Sequence, residues 1–164
     1  MSLGGSRFGK MALMNTPFQS STANLSPVDA QVRPAEGYGG DVSPALAWHW
    51  VQSGQAVLVD VRTDAEREWV GFVPDAVHLP WKQWPGMGLN PDFDAGVLAT
   101  VPEGQKVVLL CRSGVRSIAA AHRATELGRE AYNILEGFEG DPDSAGHRNS
   151  LAGWRVRGLP WRQN

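Results

Sequence analysis

The chain has 164 residues, of which 42% are hydrophobic and 20% charged, with a formal net charge of −2. That length suits one domain with its own core, and the near-neutral balance argues against a general nucleic-acid binder. A single cysteine excludes an internal disulfide framework and a cysteine-rich zinc site.

Residues 1–37 are rich in Gly, Ser, Asn, Thr and Pro and read as a flexible or surface-hugging arm, with residues 38–164 as the domain. The arm has no long apolar run, so no cleaved secretory signal is expected, and Arg7 and Lys10 are too few for a targeting peptide. Whether Met1 to Gly5 are native is left open, with Met11 and Met14 as alternative starts. Gly37 to Val42 reads as loop with a short strand.

Ser43-Pro44 looks like an N-cap followed by proline at the first helical position. The helix it opens runs to about Ser53, with Gly54 as its stop. Ala56 to Arg62 is a short apolar run ending in charge, the pattern of a buried parallel strand. Thr63 with Glu66 resembles a capping box that opens a helix over Asp64 to Val70. Gly71 to Asp75 is a turn, Ala76 to Leu79 a short strand closed by Pro80, and Trp81 to Pro91 an irregular aromatic stretch. Asp92 to Thr100 is a short helix.

Val107 to Leu110 is a central apolar strand that runs straight into Cys111-Arg112-Ser113-Gly114-Val115-Arg116-Ser117. A helix follows from about Val115 to Leu127, with Gly128 as its C-cap. Ala131 to Leu135 is another strand, Glu136 to Ser150 a polar loop, and Leu151 to Val156 a last short helix. Strands alternating with helices predict an α/β fold, a central mostly parallel sheet with helices on both faces. Ligands bind such sheets outside the C-terminal edges of the strands, where Cys111 and the Asp60/Arg62 pair both fall.

Cys111 sits where strand becomes loop, with Arg112 and Arg116 one and five positions after it. Loop N–H groups at a helix start, the helix dipole and two guanidiniums all favour a thiolate and an anionic ligand. Gly114 lets the backbone approach a ligand without a Cβ in the way. The plainer alternative is an inert packed cysteine, since free Cys is among the most buried residues; the arginines and the strand–loop–helix setting favour the reactive reading. Arg116 is the candidate to fold back over the anion, and Arg112 to bind it or steer it from outside. Ser113 and Ser117 are candidates either to donate to the bound group or to cap the following helix. Asp60 and Arg62 read as an ion pair that orients the next element rather than as acid and substrate clamp. Trp81 and Trp84 either wall the pocket or simply pack. His49, His78, His122 and His147 show no metal-ligand spacing, so no metal or other cofactor is expected; His147 lies in the polar loop, with an approach to the site as its alternative to plain solvation.

Five stretches together resemble the rhodanese-like family. They are Leu58 to Arg62 with Glu66; Gly71 to Pro80; Cys111 to Ser117; Leu135-Glu136-Gly137; and Gly153-Trp154 with Gly158-Leu159-Pro160. The resemblance spans roughly residues 38 to 162. Phe72 and Asp75 depart from the second signature, and the polar stretch 139–149 looks longer than in the simplest single-domain members. The resemblance implies sulfur transfer: Cys111 takes a sulfane sulfur from a small anionic donor such as thiosulfate and passes it, as a persulfide, to a thiophilic acceptor, cyanide or a thiol, with a protein thiol as one alternative. It implies Arg112, Ser113, Gly114, Val115, Arg116 and Ser117 as the binding loop. Phosphatases of related fold, with arsenate reductases, are the rival enzymes, but their loop has five residues between cysteine and arginine where this chain has four. A non-catalytic binding or sulfur-relay module is the rival of another class. No apolar run approaches the ~20 residues of a membrane span, so neither membrane nor nucleic acid is expected as a partner, and the expected location is cytoplasmic.

Overall fold

The computed structural model describes residues 25–164, so the greater part of the N-terminal arm, with Met11 and Met14, lies outside the described residues. Its centre is a five-stranded sheet built from β1 (Gly40–Val42), β2 (Ala56–Asp60), β3 (Val77–His78), β6 (Lys106–Leu110) and β7 (Glu130–Ile134). The spatial order is β1-β7-β6-β2-β3, and every neighbouring pair is parallel. A wholly parallel sheet needs cover on both faces. Helix α1 (Pro44–Gln52) supplies it on one face, and α3 (Phe93–Thr100) with α4 (Arg116–Glu126) on the other. The expected α/β architecture is the one found.

The central strand shows how the sequence divides the core. Side chains alternate across a strand, so Val108 and Leu110 join Leu46, Trp50 and Ile134 on the α1 face. Val107, Leu109 and Cys111 join Phe93, Val97 and the α4 alanines on the other. Helix α4 turns Ser117, Ala120, Ala121 and Ala124 inward, the i, i+3, i+4, i+7 stripe of a buried face. Ser117 is the one polar member of that stripe, and it lies level with Cys111.

Local signals act as expected in two helices. Ser43 Oγ accepts the Leu46 N–H at 3.0 Å and Pro44 occupies the first turn of α1. Thr63 and Glu66 close the capping box of α2 (Asp64–Val70), with Thr63 Oγ1 accepting from Glu66 N at 3.2 Å and Glu66 Oε1 accepting from Thr63 N at 3.3 Å. The described part of the arm touches the domain at several points: Leu25 packs on the α1 face, Asp29 O accepts from Ser43 Oγ at 2.8 Å, and Arg33 pairs with Asp41 across a short bridge.

Two expectations fail. The stretch Trp81 to Pro91 is not wholly irregular; Lys82–Gln83 (β4) and Gly88–Leu89 (β5) form a small antiparallel hairpin. The final helix over Leu151 to Val156 is absent, and turns stand in its place. Gly153 takes φ 112°, where a Cβ would lie 2.7 Å from the Glu139–Gly140 backbone, and Trp154 N donates to Gly137 O at 2.8 Å. Backbone contacts with the turn at residues 137–140 thus replace the i→i−4 bonds that a short, weakly nucleated helix would make.

Candidate active site

Cys111 follows β6 directly and is 1% exposed. Its Sγ accepts the Gly114 N–H at 3.1 Å and lies 3.1 Å from Ser117 Oγ. The loop can curl back in this way because Gly114 takes φ 107°, a conformation that strains any residue with a Cβ. Ser117 lies inside α4, whose N-cap residue is Val115. It faces the sulfur and Asn133 and does not cap the helix. Ser113 is half-buried in the loop and Val115 is exposed.

The loop is held from behind by residues 137–140. Phe138 N donates to Cys111 O at 2.8 Å, and Glu139 N and Gly140 N donate to Arg112 O at 2.9 and 3.2 Å. Gly137 makes this contact at φ 66°, where a Cβ would sit 2.5 Å from the Arg112 carbonyl. Trp154, fully buried, anchors the same segment through Gly137 O. The Glu136-Gly137 and Gly153-Trp154 motifs are thereby parts of one support beneath the cysteine loop.

Arg116 is half-buried, and its guanidinium is paired with Glu66 of α2, Nη1 to Oε1 at 2.6 Å and Nη2 to Oε2 at 2.8 Å. Its positive charge therefore reaches the loop alongside a carboxylate. Burial pushes the Glu66 carboxyl up, but the hydrogen bonds and charge of Arg116, with those of Thr63, outweigh it and hold the group below its usual value. The Glu66 hydrogen bonds raise Arg116 in turn, against the opposing effect of burial, and the charges of Glu66, Cys111 and Asp60 add to the rise. Local spacing marked Glu66 only as a helix cap; the same carboxylate performs both tasks. Arg112 is exposed and makes no ion pair among the described residues.

A cleft of about 450 Å³ opens beside the loop, with Glu66, Arg112 and Arg116 on its polar side and Ala65, Val70, Trp84 and Met87 on its apolar side. The two tryptophans divide: Trp84 lines the cleft and is 66% exposed, while Trp81 packs edge-on against Phe93 with ring centroids 4.9 Å apart. His147 is held in its own exposed loop, where its N–H and that of Ala145 donate to Asp143 Oδ1, each at 2.9 Å. No group of His, Cys, Asp and Glu able to hold a metal occurs among the described residues.

Asp60 and Arg62 are both fully buried and form one unit. Arg62 Nη2 donates to Asp60 Oδ2 at 2.7 Å and to Gly71 O at 2.8 Å, and the guanidinium stacks 4.1 Å from the Phe138 ring centroid. Arg62 thus ties the end of β2 to the turn after α2 and to the support segment. These contacts commit the two buried charges to one another and leave Arg62 Nη1 without a hydrogen-bond partner among the described residues.

Asn133 and Asp41, which no local pattern marks, complete the surroundings of the cysteine. Parallel pairing of β1 with β7 sets Asp41 opposite Asn133. Asn133 Nδ2 donates to Asp41 Oδ1 at 2.9 Å, Tyr38 Oη donates to the same oxygen at 2.8 Å, and Ser117 Oγ donates to Asn133 Oδ1 at 2.6 Å. Only the inward stripe on α4 hinted at this, by placing a serine among alanines.

Comparison with known proteins points to one family. The family model of the rhodanese-like domain matches residues 43–141. An uncharacterized protein of Rickettsia conorii, RC0915, is 36% identical over 121 residues, covering 68% of this chain and 87% of that protein. A thiosulfate sulfurtransferase of Actinobacillus succinogenes, GlpE, is 30% identical over 121 residues, covering 73% and 87%. The crystal structure of Rv0390 from M. tuberculosis superposes with a TM-score of 0.71 at 44% identity, covering 77% of this chain and 99% of that one.

Proposed function

The chain belongs to the rhodanese-like domain family, and from that premise we propose that it is a sulfurtransferase working through a Cys111 persulfide. The observation that carries the reading is the sulfur itself: a lone cysteine at the C-terminal edge of the central strand, receiving a loop N–H at 3.1 Å, with Arg112 and Arg116 beside it. The similarity to a thiosulfate sulfurtransferase supports the same chemistry.

The reaction has two strokes. The Cys111 thiolate attacks the outer sulfur of thiosulfate; a new S–S bond forms, the old one breaks, and sulfite leaves with its electron pair. Cyanide or a thiolate then attacks the outer sulfur of the persulfide, and thiocyanate or a new persulfide leaves, which restores the thiolate. Each stroke is a nucleophilic displacement at sulfur, and ping-pong kinetics follow. N–H groups of residues 112–117 and the two arginines stabilise the anionic donor and the persulfide. Arg112 meets the donor from the cleft, while Arg116, shared with Glu66, sets the field at the loop. With Cys111 1% exposed, one sulfur atom is a more fitting reacting centre than a phosphoryl group, whose oxygens would each need partners. Residues 38–164 form the working domain, preceded by the 1–37 arm, and the proposed location is cytoplasmic.

Intact mass after incubation with thiosulfate tests the reading. The protein gains one sulfur atom, and cyanide removes it as thiocyanate. A mass that does not change, or hydrolysis of aryl phosphates that outpaces thiocyanate formation, overturns it.

A further inference from the structure

We infer that Asn133 and Asp41 are positioning residues that fix which way the Ser117 hydroxyl points, and thereby hold Cys111 as a thiol donating to Ser117 until that hydroxyl turns. The chain of hydrogen bonds runs inward from the surface. A carboxylate only accepts hydrogen bonds, and Asp41 Oδ1 is met by Tyr38 Oη at 2.8 Å and by Asn133 at 2.9 Å. Both must donate. For Tyr38 this is assured, because burial, with the Asp41 hydrogen bond and charge, pushes its phenol up to about 12. For Asn133 it settles the amide: the NH2 end faces Asp41, so the carbonyl end faces Ser117.

An amide oxygen cannot donate, so the single hydroxyl proton of Ser117 is committed to Asn133 Oδ1, at 2.6 Å. Only lone pairs remain on Ser117 Oγ toward the sulfur 3.1 Å away. That contact is favourable when the cysteine carries its proton and sets lone pair against lone pair when it does not. Ser117, Asn133 and Cys111 are all at most 1% exposed, so bulk solvent does little to relieve the mismatch. When the thiol proton passes to a solvent base, Ser117 must give up Asn133 to donate to the sulfur. The pair on β1 and β7 therefore sets how readily the thiolate forms.

The consequence for catalysis rests on Cys111 being the nucleophile, but the test does not. Cys111 is the only thiol, so its alkylation rate against pH reads this site alone, whether or not sulfur is transferred. The charged groups around it are Arg112 in the loop, Arg116 with Glu66, Asp60 with Arg62 and Arg67, and Asp41 itself. Asn133→Leu leaves all of them in place and releases the Ser117 proton. The alkylation midpoint is expected to fall by about one pH unit, the worth of one hydrogen bond to a charged group. In a Ser117→Ala background the same change is expected to produce no further fall. The exchanged pair Asp41→Asn with Asn133→Asp keeps an acceptor facing Ser117. The amide then on β1 donates one proton to the carboxylate on β7 and the other to the Tyr38 oxygen, so the midpoint is expected at or above the parent's.

An unchanged or higher midpoint in Asn133→Leu overturns the inference. So does a fall that persists in full without Ser117, or an exchanged pair that shifts acid as Leu does. If the leucine variant does not fold, the unaltered protein decides. Below the alkylation midpoint, the infrared S–H stretch of Cys111 is expected at the lowered frequency of a hydrogen-bond donor, and Ser117→Ala is expected to move it to the free-thiol value. A free-thiol frequency in the parent overturns the inference equally.

Discussion

At the scale of single residues, the site is a question of what each charge and proton is already doing. Cys111→Ser removes the proposed nucleophile with little change in volume. It is expected to abolish thiocyanate production from thiosulfate and cyanide while the unfolding curve stays within about 1 kcal/mol of the parent's. Comparable turnover by the variant would overturn the assignment. Arg116 and Glu66 make a second case. Because the guanidinium is shared with a carboxylate 2.6 Å away, Glu66→Gln exposes more of its charge to the loop. KM for thiosulfate is expected to fall about two- to fivefold, the range of a partly screened pair, whereas Arg116→Ala moves KM upward. A donor without charge should show neither change, and steady-state kinetics with both donor types would reveal whether the field or the fold is responsible.

The support beneath the loop belongs to the scale of elements. Residues 138–140 donate to the carbonyls of Cys111 and Arg112, so the loop has its shape because another segment imposes it. Gly137→Ala meets both a positive φ of 66° and a Cβ contact of 2.5 Å with backbone. Backbone cannot yield as the end of a flexible side chain does, so the cost is expected at about 2–3 kcal/mol. Sulfur transfer should fall in the protein that remains folded, since the loop N–H groups move with the Arg112 carbonyl. Urea unfolding and single-turnover persulfide formation measure the two losses separately. A neutral effect of Gly54→Ala on sulfur transfer makes a suitable control, because a Cβ there meets nothing within 4 Å, although its φ of 77° still strains the turn.

For the molecule as a whole, two carboxylates tie distant segments together and make stability depend on acid. Glu66 links α2 to the cysteine loop. Glu136 accepts from Gly153 N at 3.3 Å and from Arg157 Nε at 3.0 Å, which links the support segment to the C-terminal turns. Burial raises each carboxyl, yet the arginine hydrogen bonds prevail and both lie below their ordinary values. The unfolded chain therefore binds more protons than the folded one near the usual Glu value of about 4.3. Stability from these pairs is complete above that value and is lost as pH falls through the lower folded values. Arg157 is about half exposed, so solvent screening limits the combined effect to about 1–2 kcal/mol. Denaturant unfolding should give that difference between the parent and the Glu66→Gln, Glu136→Gln double variant at neutral pH, narrowing as pH falls below the usual Glu value. A difference that stays constant with pH would show that the carboxylates stabilise by packing rather than by charge.

What the sequence determined by itself was whatever depends on neighbours in the chain. The Thr63–Glu66 capping box, the Ser43-Pro44 helix start, the apolar strand into Cys111 and the alternation that predicts a parallel sheet all rest on steric and hydrogen-bonding rules that act over a few residues. They place the cysteine at a strand's C-terminal edge without reference to any distant segment. The tertiary structure alone decided the partners. Glu66 and Arg116 are 50 residues apart, and Asp41 and Asn133 are 92 apart; they meet because the parallel sheet sets β1 beside β7 and lays the cysteine loop over α2. The turn conformation of Leu151 to Val156 was decided the same way, by the backbone of residues 137–140. A side chain's hydrogen-bond partner is fixed by the register and packing of whole elements, and those are settled only when the two faces of the sheet are buried together.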